Sequence, residues 1–139
     1  MSKTPHQRAE QELTRFALSL PETDVVPGWG KDDDRTRYLR VRKKGFGFFG
    51  EKGETDETFS MTVKLPTAYE MIQHLYFVHE GSDWYRRNKW AVARFGPEDD
   101  VMAELETLKG WLVQSYVAVA PKALGRRVMA AHGSEPDGE

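Results

Sequence analysis

The sequence predicts an α+β fold in two layers, an antiparallel sheet with the N- and C-terminal helices packed on one face. Apolar and polar residues alternate from Phe59 to Leu65, which is typical of a strand with one buried face. Apolar residues recur at helical spacing between Glu98 and Lys122, which predicts a long one-sided helix. Short turns join the strands between residues 37 and 64, which favours antiparallel pairing.

Composition restricts the class of protein. The 139 residues are 39% hydrophobic and 12% aromatic, enough for the core of one folded domain. Charged residues make up 30% with a formal net charge of −2, so an anionic partner must be met by a local patch. The absence of cysteine excludes disulfides, thiolate nucleophiles and most structural zinc sites. No apolar run suits a membrane span or a signal peptide, so we expect a soluble, cytoplasmic protein without a membrane partner.

The first helix has a recognisable start. Thr4, Pro5 and Gln7 match an N-cap, a first-turn proline and a capping-box partner. Apolar residues at helical spacing follow, and the helix is expected to end before Pro21. The stretch from Glu22 to Asp34 contains proline, glycine and three successive aspartates, which predicts a loop.

The middle of the chain predicts three strands. Leu39 and Val41 alternate with polar residues, and Lys44-Gly45 offers a turn into the strand Phe46–Phe49. The third strand is Phe59–Leu65, the clearest alternation in the sequence. The expected sheet therefore has its apolar face toward the helices and its polar face toward solvent.

The remaining segments complete one domain. Pro66–Leu75 predicts a short helix, and Phe77–Asn88 predicts an irregular, exposed loop. Trp90–Phe95 predicts the last strand, and the terminal helix follows. We expect one α+β domain over residues 4–127 and a loosely ordered polar tail over residues 128–139.

Short motifs in these elements follow one another in a specific order and spacing. They are Ala17-Leu18-Ser19-Leu20-Pro21-Glu22, Tyr38–Val41 with Phe46, Ser60-Met61-Thr62-Val63-Lys64-Leu65, Lys89-Trp90, and Ser115-Tyr116 with Pro121-Lys122. As a set, over about residues 10 to 125, they resemble the MmcQ/YjbR family. The resemblance implies a small α+β domain similar to the frataxin/CyaY fold, in a family often labelled DNA-binding. It implies no shared catalytic residues.

Basic residues carry the main functional hypothesis. If Leu39 and Val41 face the core, then Arg40, Arg42 and Lys64 share the outer face of the sheet. Successive outer residues lie about 6.7 Å apart, close to the spacing of phosphates along a nucleic-acid strand. The segment from residue 79 to 89 adds aromatic and basic side chains suited to base stacking and backbone contacts. The predicted nucleic-acid-binding residues are Arg40, Arg42, Lys43, Lys44, Lys64, Trp84, Arg86, Arg87 and Lys89.

We therefore expect a non-enzymatic domain, monomeric or weakly dimeric, that binds nucleic acid weakly and without reading its sequence. One continuous electropositive surface is expected from Arg40, Arg42, Lys64, Arg86 and Arg87. The first alternative is a salt-bridged surface in which these arginines pair with the acidic loops 32–34 and 51–57. The second is a protein-interaction module with Trp84 and Tyr85 as its anchors. Trp111 is expected in the core or at its edge, and it would be a further anchor only if it were exposed.

Other motifs do not complete a site. Gly45–Gly50 has the spacing GxGxxG, but a dinucleotide fingerprint needs a helix to begin there, so an aromatic strand is favoured. His79 and Glu80 lack the further ligands that zinc requires. Asp32–Asp34 lacks the glycine and the distal glutamate of a calcium loop. We therefore expect no catalytic residues, no cofactor and no metal.

Overall fold

A computed structural model describes residues 3–27, 36–51 and 54–132. The strands are β1 (Thr23–Pro27), β2 (Arg37–Val41), β3 (Lys44–Phe49), β4 (Phe59–Lys64), β5 (Val78–His79) and β6 (Trp90–Phe95). The helices are α1 (Pro5–Leu18), α2 (Asp83–Arg87), α3 (Leu105–Val119) and α4 (Lys122–His132), and a 3₁₀ helix, Val101–Glu104, precedes α3. The strands form one open antiparallel sheet in the order β1-β2-β3-β4-β6-β5, which confirms the α+β class.

α1 begins where its sequence predicts. The Gln7 N–H donates to the Thr4 hydroxyl at 3.1 Å, and the Thr4 N–H donates to the Gln7 side chain at 2.9 Å. This capping box satisfies backbone groups that the first turn leaves without partners. Ala9, Leu13 and Ala17 are fully buried, so α1 packs its apolar face against α3 and the sheet.

α3 lies across β3 and β4 and closes the core. Leu108, Leu112 and Tyr116 are fully buried there, which confirms the apolar stripe. The predicted start of this helix is wrong, because the chain forms a 3₁₀ turn over residues 101–104 before α3 begins at Leu105. Its end is close to the predicted one, since α3 ends at Val119 and Pro121 follows. The sequence did not predict α4, which begins after Pro121 and packs back on α3.

α4 also corrects the predicted end of the domain. The helix extends to His132, and Val128 is buried with 2% of its surface exposed. A loose tail beginning at residue 128 is therefore wrong for residues 128–132, because the helical spacing of Leu124 and Val128 continues the core. Residues 133–139 lie outside the part of the chain that the structure describes.

The predicted loop Glu22–Asp34 is wrong over its first half. Residues 23–27 form β1, which pairs along its whole length with β2. β1 ends at Pro27 and is an edge strand. Val25 packs against the core, and the Thr23 hydroxyl donates to the Ala17 and Leu20 carbonyls at 3.0 and 2.9 Å, so α1 and β2 both hold it. The rest of the predicted loop, with Asp32–Asp34, lies outside the described residues.

Two further predictions about the middle of the chain are wrong. Residues 66–75 form successive turns instead of a helix, with Met71 N–H donating to the Ala68 carbonyl at 3.0 Å. Residues 78–79 form β5 and residues 83–87 form α2, so the irregular loop is wrong. The predicted exposure is confirmed for most residues from 79 to 88. Both segments are short, and packing against the sheet determines their structure more strongly than local residue preferences do.

The β2–β3 connection is tighter than predicted. Val41 pairs directly with Lys44, so the turn consists of Arg42 and Lys43. These residues have φ values of 49° and 70°, the left-handed conformation of both central residues in a type I′ hairpin.

A β-bulge in β3 turns one aromatic side chain toward the helices. The pairing passes from Leu39 with Gly47 to Arg40 with Gly45, which leaves Phe46 as the extra residue. Phe46 is fully buried, and its ring meets the edge of the Tyr116 ring at 5.5 Å. The bulge therefore places the Phe46 side chain in the core, between Gly45 and Gly47 of the same strand.

Ser115 of α3 completes the bulge. The Lys64 N–H donates to the Ser115 hydroxyl at 2.9 Å, and that hydroxyl donates to the Phe46 carbonyl. The hydroxyl thus bridges β3 and β4 just beyond the pair Gly47 and Val63, where their ladder ends. Helix and sheet are tied together at this point.

Candidate nucleic-acid interface

The sheet face opposite α1 and α3 carries a row of directly paired residues. Tyr38 pairs with Phe48, Phe48 with Thr62, and Thr62 with Val92. Paired residues of antiparallel strands point to the same face, so one row crosses β2, β3, β4 and β6. The Tyr38 and Phe48 rings lie 5.3 Å apart.

α2 packs over this row. The Tyr85 N–H donates to the Ser82 hydroxyl at 3.2 Å, which caps the helix. The Tyr85 ring lies 6.4 Å from the Phe48 ring, and a Cβ on Gly81 would lie 2.5 Å from Tyr85. Glycine at position 81 therefore permits the close approach of Tyr85. Burial is the main cause that raises the pKa of Tyr85 above its ordinary value.

The result is an open aromatic cleft of about 200 Å³. Gly45 and Gly47 of β3 line it without side chains. Trp84 stacks near Trp90 with ring centroids 6.4 Å apart, and Trp84 is 54% exposed. We define the aromatic cleft by its aromatic residues, Tyr38, Phe48, Trp84, Tyr85 and Trp90.

The predicted continuous electropositive surface is wrong at several positions. Arg40 donates to both carboxylate oxygens of Asp24 at 2.9 and 2.7 Å, and Arg42 donates to those of Glu22 at 2.6 and 3.1 Å. The cause is β1, whose register places Asp24 opposite Arg40. Hydrogen bonding from these arginines lowers the carboxyl pKa values of Glu22 and Asp24.

The cations of the 79–89 segment are also partly paired. Arg86 contacts Glu80 at 3.1 Å and also Asp83, while Lys89 contacts Glu70. Arg40, Arg42, Arg86 and Lys89 therefore form salt bridges, as in the salt-bridged alternative. Their partners are Asp24, Glu22, Glu80 and Glu70, which the sequence did not predict.

Two other predicted cations lie near the aromatic cleft: Lys64 pairs in register with Trp90, and Arg87 ends α2. Lys44 pairs with the buried Val41, so it lies on the helix face of the sheet, away from the cleft. Within residues 3–27, 36–51 and 54–132, neither these three nor Lys43 forms a salt bridge. Positive charge therefore remains available beside the aromatic cleft.

The structure tests the assignments of several other residues. Trp111 is only 5% exposed and packs near Phe77, which confirms its place in the core and excludes it as an anchor. The glycine-rich segment forms β3 with no helix start, which confirms the strand interpretation. Phe48 and Trp90 were not assigned to a site, because the bulge at Phe46 interrupts the alternation that would have placed Phe48 outside.

A larger cavity than the aromatic cleft lies elsewhere and has only solvated walls. It measures about 720 Å³ and lies between α1 and β1, lined by Gln7, Thr14 and Val25 among others. Every residue lining it is exposed or half-exposed, so water already solvates its polar atoms. It offers no buried group that a ligand would satisfy.

Comparison with protein-family models and with curated proteins finds no match to the chain. Within the described residues, no three His, Cys, Asp or Glu side chains come together as a metal site. None of the helices in that part of the chain combines the length and the apolar character needed to cross a membrane.

Proposed function

We propose that this chain is a non-enzymatic domain that binds single-stranded nucleic acid, without reading its sequence, through the aromatic cleft. The observation that carries this proposal is the cleft itself, which gathers five aromatic side chains on one open sheet face. Its outermost ring, Trp84, is 54% exposed and available for stacking.

The physical basis is stacking combined with charge. Base–aromatic stacking contributes about 1–3 kcal/mol per base and tolerates every base, because each has a π-face. Lys64 and Arg87 near the cleft supply attraction to phosphates. This attraction weakens at higher salt, because the counterions displaced from the phosphates then gain less entropy. Because the net charge of the protein is −2, no long-range electrostatic field strengthens the local attraction to phosphates. We therefore expect weak binding.

We also propose that the fold is of the MmcQ/YjbR type, similar to frataxin/CyaY. Support comes from contacts between the motif residues that carry the resemblance. The Tyr116 hydroxyl donates to the Pro21 carbonyl at 2.6 Å, and Ser115 bonds to both Lys64 and Phe46. The DNA-binding label common in that family agrees with the proposed function.

The proposal is tested by fluorescence anisotropy with a labelled single-stranded oligonucleotide of mixed sequence, titrated at several salt concentrations. Trp84→Ala should weaken binding about tenfold to a hundredfold, from the loss of one stacking platform. Tyr76→Ala is the matched control, since Tyr76 is 59% exposed but lies outside the aromatic cleft.

Charge is tested separately from stacking. Lys64→Glu should weaken binding and make it less dependent on salt. Lys122→Glu changes the net charge equally, but Lys122 is exposed on α4 in the helical layer, so binding should change little. Equal binding by Trp84→Ala, Lys64→Glu and their controls would refute the proposal.

The protein-interaction alternative retains one anchor. Trp84 is a large exposed aromatic residue on α2, the type of residue that dominates protein interfaces. The affinity for a protein partner held by Trp84 would depend little on salt concentration. The affinity for nucleic acid would fall as the salt concentration rises. The salt series therefore separates the two functions.

A further inference from the structure

A polar cavity of about 320 Å³ lies on the same sheet face, beside the aromatic cleft. Phe48 and Tyr85 line both spaces, so the two are neighbours across these rings. Ser60 and Thr62 of β4 lie in the wall of the polar cavity, and Glu51 and Glu80 contribute carboxylates.

The two hydroxyl side chains are unusual for buried residues. Ser60 is 3% exposed and Thr62 is 4% exposed. Neither hydroxyl is hydrogen-bonded to another described residue, and neither is among the described buried polar atoms that lack a partner. Both oxygens therefore reach the solvent of the cavity and are open to a molecule that enters it. They stand two residues apart on one strand, about 6.7 Å along it.

The charges of the cavity favour a neutral, hydroxyl-rich ligand group over a phosphate. Arg94 also lines the cavity, but it donates to both oxygens of Glu51 at 2.9 and 3.3 Å. Glu80 is paired with Arg86 at 3.1 Å. The carboxylates keep lone pairs that accept hydrogen bonds, whereas the described lining offers no unpaired cation to a phosphate.

We propose that the polar cavity binds the ribose of a nucleotide whose base stacks in the aromatic cleft, so that the chain prefers RNA to DNA. The inference rests on the proposed function and names its substrate class. A hydroxyl both donates and accepts, so Ser60 and Thr62 can bond the 2′-hydroxyl that deoxyribose lacks. The 2′-hydroxyl is the group by which a protein distinguishes RNA from DNA at a given site.

The free hydroxyls also provide clean variants. Thr62→Val replaces a hydroxyl by a methyl group of similar size and breaks no hydrogen bond of the described structure. Its melting temperature should therefore stay close to that of the wild type, because the hydroxyl makes no bond within the described fold and reaches the solvent of the cavity. Ser60→Ala is expected to behave in the same way.

The experiment compares ribo- and deoxyribo-oligonucleotides of one sequence, with deoxyuridine in place of thymidine so that only the 2′ position differs. The wild type should bind the RNA roughly five- to tenfold more tightly, as expected for one additional hydrogen bond. Thr62→Val should lower RNA binding to the DNA level and leave DNA binding unchanged. Thr67→Val, at an exposed threonine outside the cavity, should change neither.

Each contrary result has a distinct meaning. Equal binding of RNA and DNA by the wild type would overturn the ribose inference and leave nucleic-acid binding intact. Equal loss of RNA and DNA binding in Thr62→Val would also overturn it. No binding of either would overturn both proposals. Adenosine is tested against 2′-deoxyadenosine in parallel, and adenosine binding as tight as that of the strand would overturn the assignment to RNA.

Discussion

Ser115→Ala tests how α3 is held on the sheet. Ser115 is fully buried, and its hydroxyl bonds both the Lys64 N–H and the Phe46 carbonyl. Alanine leaves both backbone groups without this partner, and each buried group left unpaired costs about 1–3 kcal/mol. Because the Lys64 bond is only partly buried, we expect a total loss of about 2–4 kcal/mol.

Urea and thermal unfolding measure this loss. For a chain of this length, we expect the melting temperature to fall by about 6–16 °C. Alanine is the better helix former, so intrinsic helix propensity would act in the opposite direction and cannot produce the loss. Gln114→Ala, at the exposed neighbouring position on α3, is the control and should remain close to the wild type.

Amide exchange gives a local measurement of the same contact. The Lys64 amide should exchange faster in Ser115→Ala, because its acceptor has been removed. A variant within about 0.5 kcal/mol of the wild type, with the Lys64 amide still protected, would refute the bridging role of Ser115.

Other perturbations follow from the core and from the paired carboxylates. Leu112→Ala should destabilise the fold by about 2–5 kcal/mol, since Leu112 is fully buried, and an unchanged melting temperature would show that the α3 stripe is not core. Arg42 and Arg40 lower the pKa values of Glu22 and Asp24, so the pairs stabilise the fold above the ordinary carboxyl values of 4.5 and 3.8. The stabilisation by these ion pairs should be lost as the pH falls through the lowered pKa values of the folded state. Over this pH range the melting temperature of Glu22→Gln should fall less than that of the wild type.

Strong local signals made part of the fold predictable. Thr4 and Gln7 specify the start of α1 by themselves, and the alternation from Phe59 to Leu65 specifies β4. The α3 stripe was predictable because Leu108, Leu112 and Tyr116 keep helical spacing. Such elements depend on residues close together in the chain.

Elements that depend on distant partners were missed. β1 is an edge strand that needs β2, and α2 has no buried residue, so neither has a strong apolar pattern of its own. The missing β1 explains the error in the site, because Asp24 reaches Arg40 only through their strand register. Trp84 and the basic residues of the candidate interface were predictable from the sequence, whereas the place of Phe48 and the pairing of the charges required the topology.

The open sheet has a consequence for self-association. An open sheet exposes unpaired backbone groups along its outer strands, which can recruit strands from other chains and seed aggregates. Here β5 is only two residues long, and β1 carries Asp24 and ends at Pro27, which has no N–H to donate. Short length, charge and proline are the devices by which natural proteins protect such edges. The strand order thus places the segments least able to template amyloid-like pairing at the two borders of the sheet.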